Sequence, residues 1–389
     1  MLETLDSVNW ANLSPFGQGV DIAAHVRLLL SPDATDRNRA RTLLFSSLNA
    51  DATIYDATAA IIPFLLELVA EEQTPDRVHI LEFLYRLAET CEFETWEIVR
   101  LYPNNKLGFL RLVNDAYEKL AGGYEVYLSL LTHRDVGIRE QAAAIVGQYP
   151  ERAKAGIPKL WSAIEHETVP SALAAQLRNV GLLVWDVEAR TPRFPCYPGL
   201  VEIAQTSSDE AVRVEAALAA LRADRFSNRR PENFPVSLMR QLVAAISTPK
   251  QYDITKRILD VLRRIGPETL IDFLAVRPLT PEAAHLLGRE LLGWQFHRTN
   301  GMTIRDQSSL NWSDEGDWER FEATTRKDGL PLDATYHRIG WPQKTLGTGD
   351  HAVLRAIVDC EPFWQLPTNL FSFFFGLPDN RDALRKLLE

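Results

Sequence analysis

Chemistry in a protein of this size would be expected to sit first on its histidines and cysteines, and neither set converges. His25, His79, His133, His166, His285, His297, His337 and His351 are scattered, whereas a metal site gathers several His, Cys or carboxylate ligands at short, repeating spacing. His166-Glu167 is the one adjacent His-Glu pair, and a single pair cannot build a dinuclear centre. Cys360 follows His351 by nine residues, about two and a half helical turns, which separates the two side chains too far for a thiol–imidazole nucleophile. Gly17-Gln18-Gly19 and Gly347-Thr348-Gly349 lack the third glycine and the strand-to-helix setting of a phosphate-cradling loop. No Gly-x-Ser-x-Gly elbow occurs. The sequence therefore calls for no metal, no cofactor and no catalytic residue.

Two other groupings suit binding. Residues 298 to 350 hold Trp312, Trp318 and Trp341 with Asp314, Glu315, Asp317 and His337. Aromatic anchors ringed by acids fit a basic protein partner. The alternative is a basic cluster, Arg225, Arg229 and Arg230 with Arg222 before it and Arg257, Arg263 and Arg264 further on, which could touch phosphates. Asp224 and Glu232 dilute that cluster. A formal charge of −10, from 52 acidic against 42 basic residues, further repels a phosphate backbone. Nucleic acid is thus the less favoured partner.

The elements that would carry these groups repeat. Asp135 is followed by Ile138-Arg139, Ala142-Ala143 and Val146, and Asp209 at the same offsets by Val212-Arg213, Ala216-Ala217 and Ala220. Offsets of three, four, seven and eight lie on one helix face. The Asp is positioned to cap that helix, the Ala pairs admit a close neighbour, and the shared Arg139 and Arg213 read as residues that hydrogen-bond one repeat to another. Further units begin near Asp33 and Asp76, and another runs over Tyr124 to Leu131. A second helix is marked by an apolar residue and proline: Ile62-Pro63, Ile157-Pro158, Tyr197-Pro198 and Phe234-Pro235. Proline belongs in a first turn. Pro158, Pro198 and Pro235 are spaced by 40 and 37 residues, near the period of two-helix HEAT repeats. About seven units fill the chain to residue 296.

The expected architecture is all-α: an α-solenoid of HEAT-like helical hairpins over 1–296, with an irregular polar insertion and a C-terminal helical cap over 297–389. Phe363-Trp364 and the aromatic run 370–375 should pack on the last repeat, since each ring removes about 150 Å² or more from water. At 389 residues the chain outgrows one compact core, and repetition is the way it grows. Cys91, Cys196 and Cys360 are far apart and odd in number, which suits reduced thiols and a cytoplasmic protein. The N-terminus shows no signal pattern, and the densest apolar run, 370–377, is too short to span a bilayer.

Trp10 to Ala70, with Tyr55-Asp56-Ala57-Thr58 leading into Ile62-Pro63-Phe64-Leu65, and then Glu125 to Gly147, resemble a group of bacterial HEAT-repeat proteins of uncharacterised function. The resemblance covers about the first 225 residues, is specific for architecture, implies a right-handed α-solenoid of paired helices and supplies no catalytic residue. The paired His-Glu motifs that the deoxyhypusine hydroxylases place on repeated helices are missing here beyond His166-Glu167. The expected function is a non-catalytic scaffold or adaptor whose concave surface meets a protein partner, an immunity-type antagonist being one form. The alternatives are a DNA glycosylase-like nucleic-acid enzyme using the arginines above, or a small-ligand-binding protein with a pocket near Trp312, His337 and Trp341.

Overall fold

A computed structural model describes residues 2–13, 20–50, 53–101, 106–186, 196–225, 235–246, 252–265, 267–276, 278–298, 348–365 and 380–389, without side-chain detail for 92–110 and some other positions. Every regular element among them is helical. The helices are α1 (Ile22–Leu28), α2 (Ala34–Leu48), α3 (Asp56–Ala70), α4 (Arg77–Leu101), α5 (Lys106–Gly122), α6 (Tyr124–Leu130), α7 (Val136–Val146), α8 (Ala153–Ile164) and α9 (Pro170–Asp186). They continue as α10 (Tyr197–Thr206), α11 (Glu210–Arg225), α12 (Val236–Ile246), α13 (Tyr252–Ile265), α14 (Pro267–Ala275), α15 (Pro281–Arg298), α16 (Thr348–Asp359) and α17 (Arg381–Leu388). The chain forms two compact units, Met1–Glu188 and Ala189–Glu389.

In the first unit the helices form two rows. One row holds α4, α7 and α9, each packed on the next; the other holds α3, α5 with α6, and α8. Cross-row contacts join α3 to α4, α6 to α7 and α8 to α9. Phe45 of α2 stacks on Phe83 of α4 with ring centroids 3.9 Å apart, which extends the first row by one helix. This is the solenoid arrangement that the repeated offsets predict. Ile138, Ala142, Ala143 and Val146 are buried in α7, and Val212, Ala216, Ala217 and Ala220 are buried at the matching places of α11. In the second unit α11, α13 and α15 follow one another, α10 packs on α11, and α12 and α14 lie against their neighbours in the same alternating way.

The proline marker corresponds to two different local structures. Pro198 lies in the first turn of α10 and Pro235 immediately before α12, as its missing N–H favours. Pro63 and Pro158 instead fall inside α3 and α8, which corrects the expected placement. The reason in α3 is an earlier start: the Thr58 hydroxyl accepts from the Tyr55 amide at 3.0 Å and donates to the Leu48 carbonyl, while the Thr58 N–H bonds the Tyr55 carbonyl at 2.9 Å. Both prolines lie on exposed faces of their helices, and each removes one i to i−4 hydrogen bond.

At the C-terminal end α16 packs on α14 and α15, and the turn Glu361–Gln365 packs on α15. Phe363 is fully buried there, stacked on His285 with centroids 5.5 Å apart, and its ring fills the space a Cβ on Gly288 would need. The expected packing of this aromatic segment on the last repeat therefore holds at Phe363. Residues 366–379, with the rest of the run, lie outside the described set. All three cysteines are buried.

Candidate functional site

None of the residues singled out for partner binding can be placed. Trp312, Asp314, Glu315, Asp317, Trp318, His337, Trp341, Arg229 and Arg230 lie outside the described residues. Arg225 is the last residue of α11, and its side chain is likewise outside them.

The described residues instead form a polar seam along the loops that lead into α2, α4, α7 and α9 of the first unit, and the same position recurs in the loop before α11 of the second. Two residues before the helix N-cap, a side chain accepts a hydrogen bond from the N-cap amide. Ser31 Oγ accepts from Asp33 at 3.1 Å, His133 Nδ1 from Asp135 at 3.0 Å, Glu167 Oε1 from Val169 at 2.9 Å and Ser207 Oγ from Asp209 at 3.3 Å. Where the N-cap is Asp, its carboxylate then accepts from the first turn: Thr35 at 2.7 Å, Ile138 at 3.2 Å and Val212 at 3.0 Å. This satisfies N–H groups that a helix start leaves open. Thr74 stands at the same place before Asp76, but Asp76 has φ 53° and the Thr74 hydroxyl is buried with no hydrogen-bond partner among the described residues.

Four residues after those Asp caps stands an arginine that folds back over its own loop. Arg37 Nη1 donates to the carbonyls of Ser31 and Pro32 at 2.9 and 3.1 Å, Arg139 Nη1 to His133 and Arg134 at 2.8 and 3.2 Å, and Arg213 Nη1 to Ser207 and Ser208 at 3.0 and 2.8 Å. Two of the three also cross to the next loop of the row. Arg37 Nε pairs with Asp76 at 2.7 Å. Arg139 holds Glu167 by Nε at 2.7 Å and Nη2 at 3.0 Å, a bidentate grip. The repeat-bridging role expected of Arg139 is thus present. For Arg213 the bonds found stay within its own loop, and residues 247–251, where the following loop would supply a partner, lie outside the described set.

Glu167 is the most heavily engaged carboxylate of the seam. Only 4% of its side chain is exposed, and it also accepts from the amides of Thr168 and Val169 and from Gln176 Nε2 at 3.4 Å. Burial is the strongest single influence and would raise its pKa. The Arg139 hydrogen bonds, the Val169 amide and the Arg139 charge outweigh it together and hold the carboxyl below its ordinary value. His166, its sequence neighbour, bonds the Ser162 carbonyl of the preceding helix α8. The two residues that suggested a metal motif are therefore spent separately. Sequence reading passed over both Glu167 as the partner of Arg139 and the acceptor position before each cap. The signal for the latter is a shared capacity to accept, because Ser, His and Glu have no other common property there.

A second polar feature lies inside the same unit. Tyr124, Tyr127 and Tyr149 are buried, and their hydroxyls have no hydrogen-bond partner among the described residues. Tyr149 packs on Tyr117 and Tyr124 with centroids 5.3 and 5.7 Å away, and Tyr117 donates to Glu151 at 2.9 Å. Burial pushes all three buried phenols well above their ordinary pKa, so they stay neutral near pH 7 and offer no phenolate base. Among the described residues no group of three or more His, Cys, Asp or Glu is placed to hold a metal ion. A cleft lined by Leu29, Arg37, Arg41, Pro75, Asp76 and Ile80 has space for about one water, about 10 Å³. No described helix is long and apolar enough to cross a membrane.

No family model and no curated protein matches the chain. Its solved structural neighbours include two engineered proteins. One is 18% identical with a TM-score of 0.38, over 72% of this chain and 98% of the other. The second is 16% identical with a TM-score of 0.36, over 95% of each. A crystal structure of importin beta is 14% identical with a TM-score of 0.38, over 88% of this chain and 42% of that one. Similarity at this level adds nothing to the helix packing above, and it is that packing which defines the chain as an all-α helical-repeat protein.

Proposed function

We propose that this chain is a non-catalytic interaction scaffold whose stacked hairpins present an extended surface to a protein partner. The observation that supports it best is the division of labour among the charged groups of the first unit. Arg37, Arg139 and Glu167 are committed to the repeats themselves, whereas the row formed by α3, α6 and α8 exposes Asp56, Glu125, Lys154 and Lys159. Such a row offers one set of side chains per repeat to an extended partner. The net charge of −10 steers association toward a basic partner. Trp312, Asp314, Glu315, Asp317, Trp318, His337 and Trp341 would add aromatic anchors and an acidic rim. An immunity-type antagonist that covers a basic toxin in the cytoplasm is one concrete form of this role.

Chemical cross-linking in the native cells followed by mass spectrometry tests the proposal. The expected result is one stoichiometric basic protein, cross-linked to the α3, α6 and α8 row or to 298–350, and released by salt. Salt-sensitive binding of duplex DNA that is lost in the double variant Arg229→Ala with Arg230→Ala would overturn it and support the nucleic-acid reading.

A further inference from the structure

The acceptor position before each cap is filled by Ser31, His133, Glu167 and Ser207, and of these only His133 has an ordinary pKa inside the physiological range. It does two things at once. Its Nδ1 accepts from the Asp135 amide at 3.0 Å, so the neutral ring carries its proton on Nε2. That Nε2 lies 3.5 Å from Nη1 of Arg77, a buried guanidinium whose Nε donates to the Val69 carbonyl at 3.0 Å. The ring therefore sits at the junction of α4 with α7, hydrogen-bonded to its own loop and with its Nε2–H against a guanidinium that can only donate.

We infer that His133 is a pH-sensitive element at the contact of these two repeats, accommodated beside Arg77 when the ring is neutral and repelled from it when it is protonated. Protonation removes the only acceptor the ring offers to the Asp135 amide and sets a second cation beside Arg77, which is already buried. The charged groups facing the ring are Arg77 from α4, Glu72 from the loop before α4, and Arg134 and Asp135 from its own loop; Arg139 of α7 holds its carbonyl. Glu72 and Asp135 favour the proton. Burial, the largest influence, and then Arg77 and Arg134 oppose it more strongly, so the ring titrates below the ordinary histidine value of 6.5. A lowered folded-state pKa means that the contact's stabilisation is complete above about pH 6.5 and is lost as pH falls through the folded value.

The molecule supplies its own controls, because Ser31 and Ser207 hold the same position with a group that does not titrate. Hydrogen exchange of the full chain at pH 7.5 and 5.5, corrected for intrinsic exchange rates, should show peptides 69–83 and 131–146 losing protection several-fold at the lower pH. Peptides 31–44 and 207–221 should change little. In His133→Ser, which copies the residue of the two control loops, the response of 131–146 should fall to the control level. An equal response at all the junctions of the wild-type chain would overturn the inference, and so would an unchanged response of 131–146 in the variant. The wild-type comparison stands alone should the variant fail to fold.

Discussion

The junction of α2 with α4 and that of α7 with α9 share one motif but differ in energetic footing. In both, an arginine four residues after an Asp cap folds over its own loop and reaches an acid in the next. Arg37 meets Asp76 through a single 2.7 Å contact with an acid that is 38% exposed. Arg139 meets Glu167 through two contacts, and that acid is 4% exposed and further tied to two backbone amides. One short pattern thus yields a screened surface pair in one place and a desolvated, fully bonded pair in another. The sequence motif specifies the reach of the arginine; the partner's burial decides what the reach contributes.

The largest effect that would break this comparison is at Arg139. Arg139→Met leaves Glu167 buried without its cation and is expected to cost about 3 to 5 kcal/mol of local stability, read from native-state hydrogen exchange over α7 and α9. The same change at Arg37 should cost less than about 1 kcal/mol. Equal costs would remove the distinction. Acid sharpens it. Glu167 has a lowered folded-state pKa, so its contribution is present above the unfolded value near 4.5 and is lost as pH falls through the folded one. Glu167→Gln should flatten the pH dependence of the α7–α9 junction in that acid range, measured by exchange or by urea denaturation at stepped pH.

Packing comes next. A Cβ on Gly156 would run into the Tyr124 hydroxyl and Leu183, whereas one on Gly122 would meet nothing within 4 Å. Gly156→Ala is expected to cost about 1 to 3 kcal/mol through overpacking between α8, α6 and α9. Gly122→Ala should be neutral or stabilise by up to about 1 kcal/mol, and thermal denaturation of the two variants separates the cases. The smallest effects belong to the caps. Asp135→Ala and Asp209→Ala should each lose about 1 kcal/mol, and similar losses in the two units would show that the capping device is independent of the pair beneath it.

Much of the repeat was legible because its determinants are local. Asp33, Asp135 and Asp209 cap their helices, and the Ala pairs of α7 and α11 are buried, as offsets within a single helix predict. Pro63 and Pro158 misled because the start of α3 depends on Tyr55 and Thr58, a cap whose leading residue is not among the usual ones, while α8 starts five residues before its proline. The partner of Arg139 was not legible. Glu167 lies 28 residues away, and no periodicity within one helix selects an acid in the following loop. The acceptor position escaped notice for a different reason: Ser31, His133, Glu167 and Ser207 share a geometry and not an identity. The aromatic and acidic residues 312 to 341 proposed for partner contact lie outside the described set.

A double-mutant cycle run in parallel at the two junctions is the most direct test of the seam as the element that ties successive hairpins of the first unit together. Arg139→Met, Glu167→Gln and their combination should return a coupling energy of about 2 kcal/mol or more, while Arg37→Met, Asp76→Asn and their combination should return less than about 0.5 kcal/mol. Two couplings of the same small size would contradict the account.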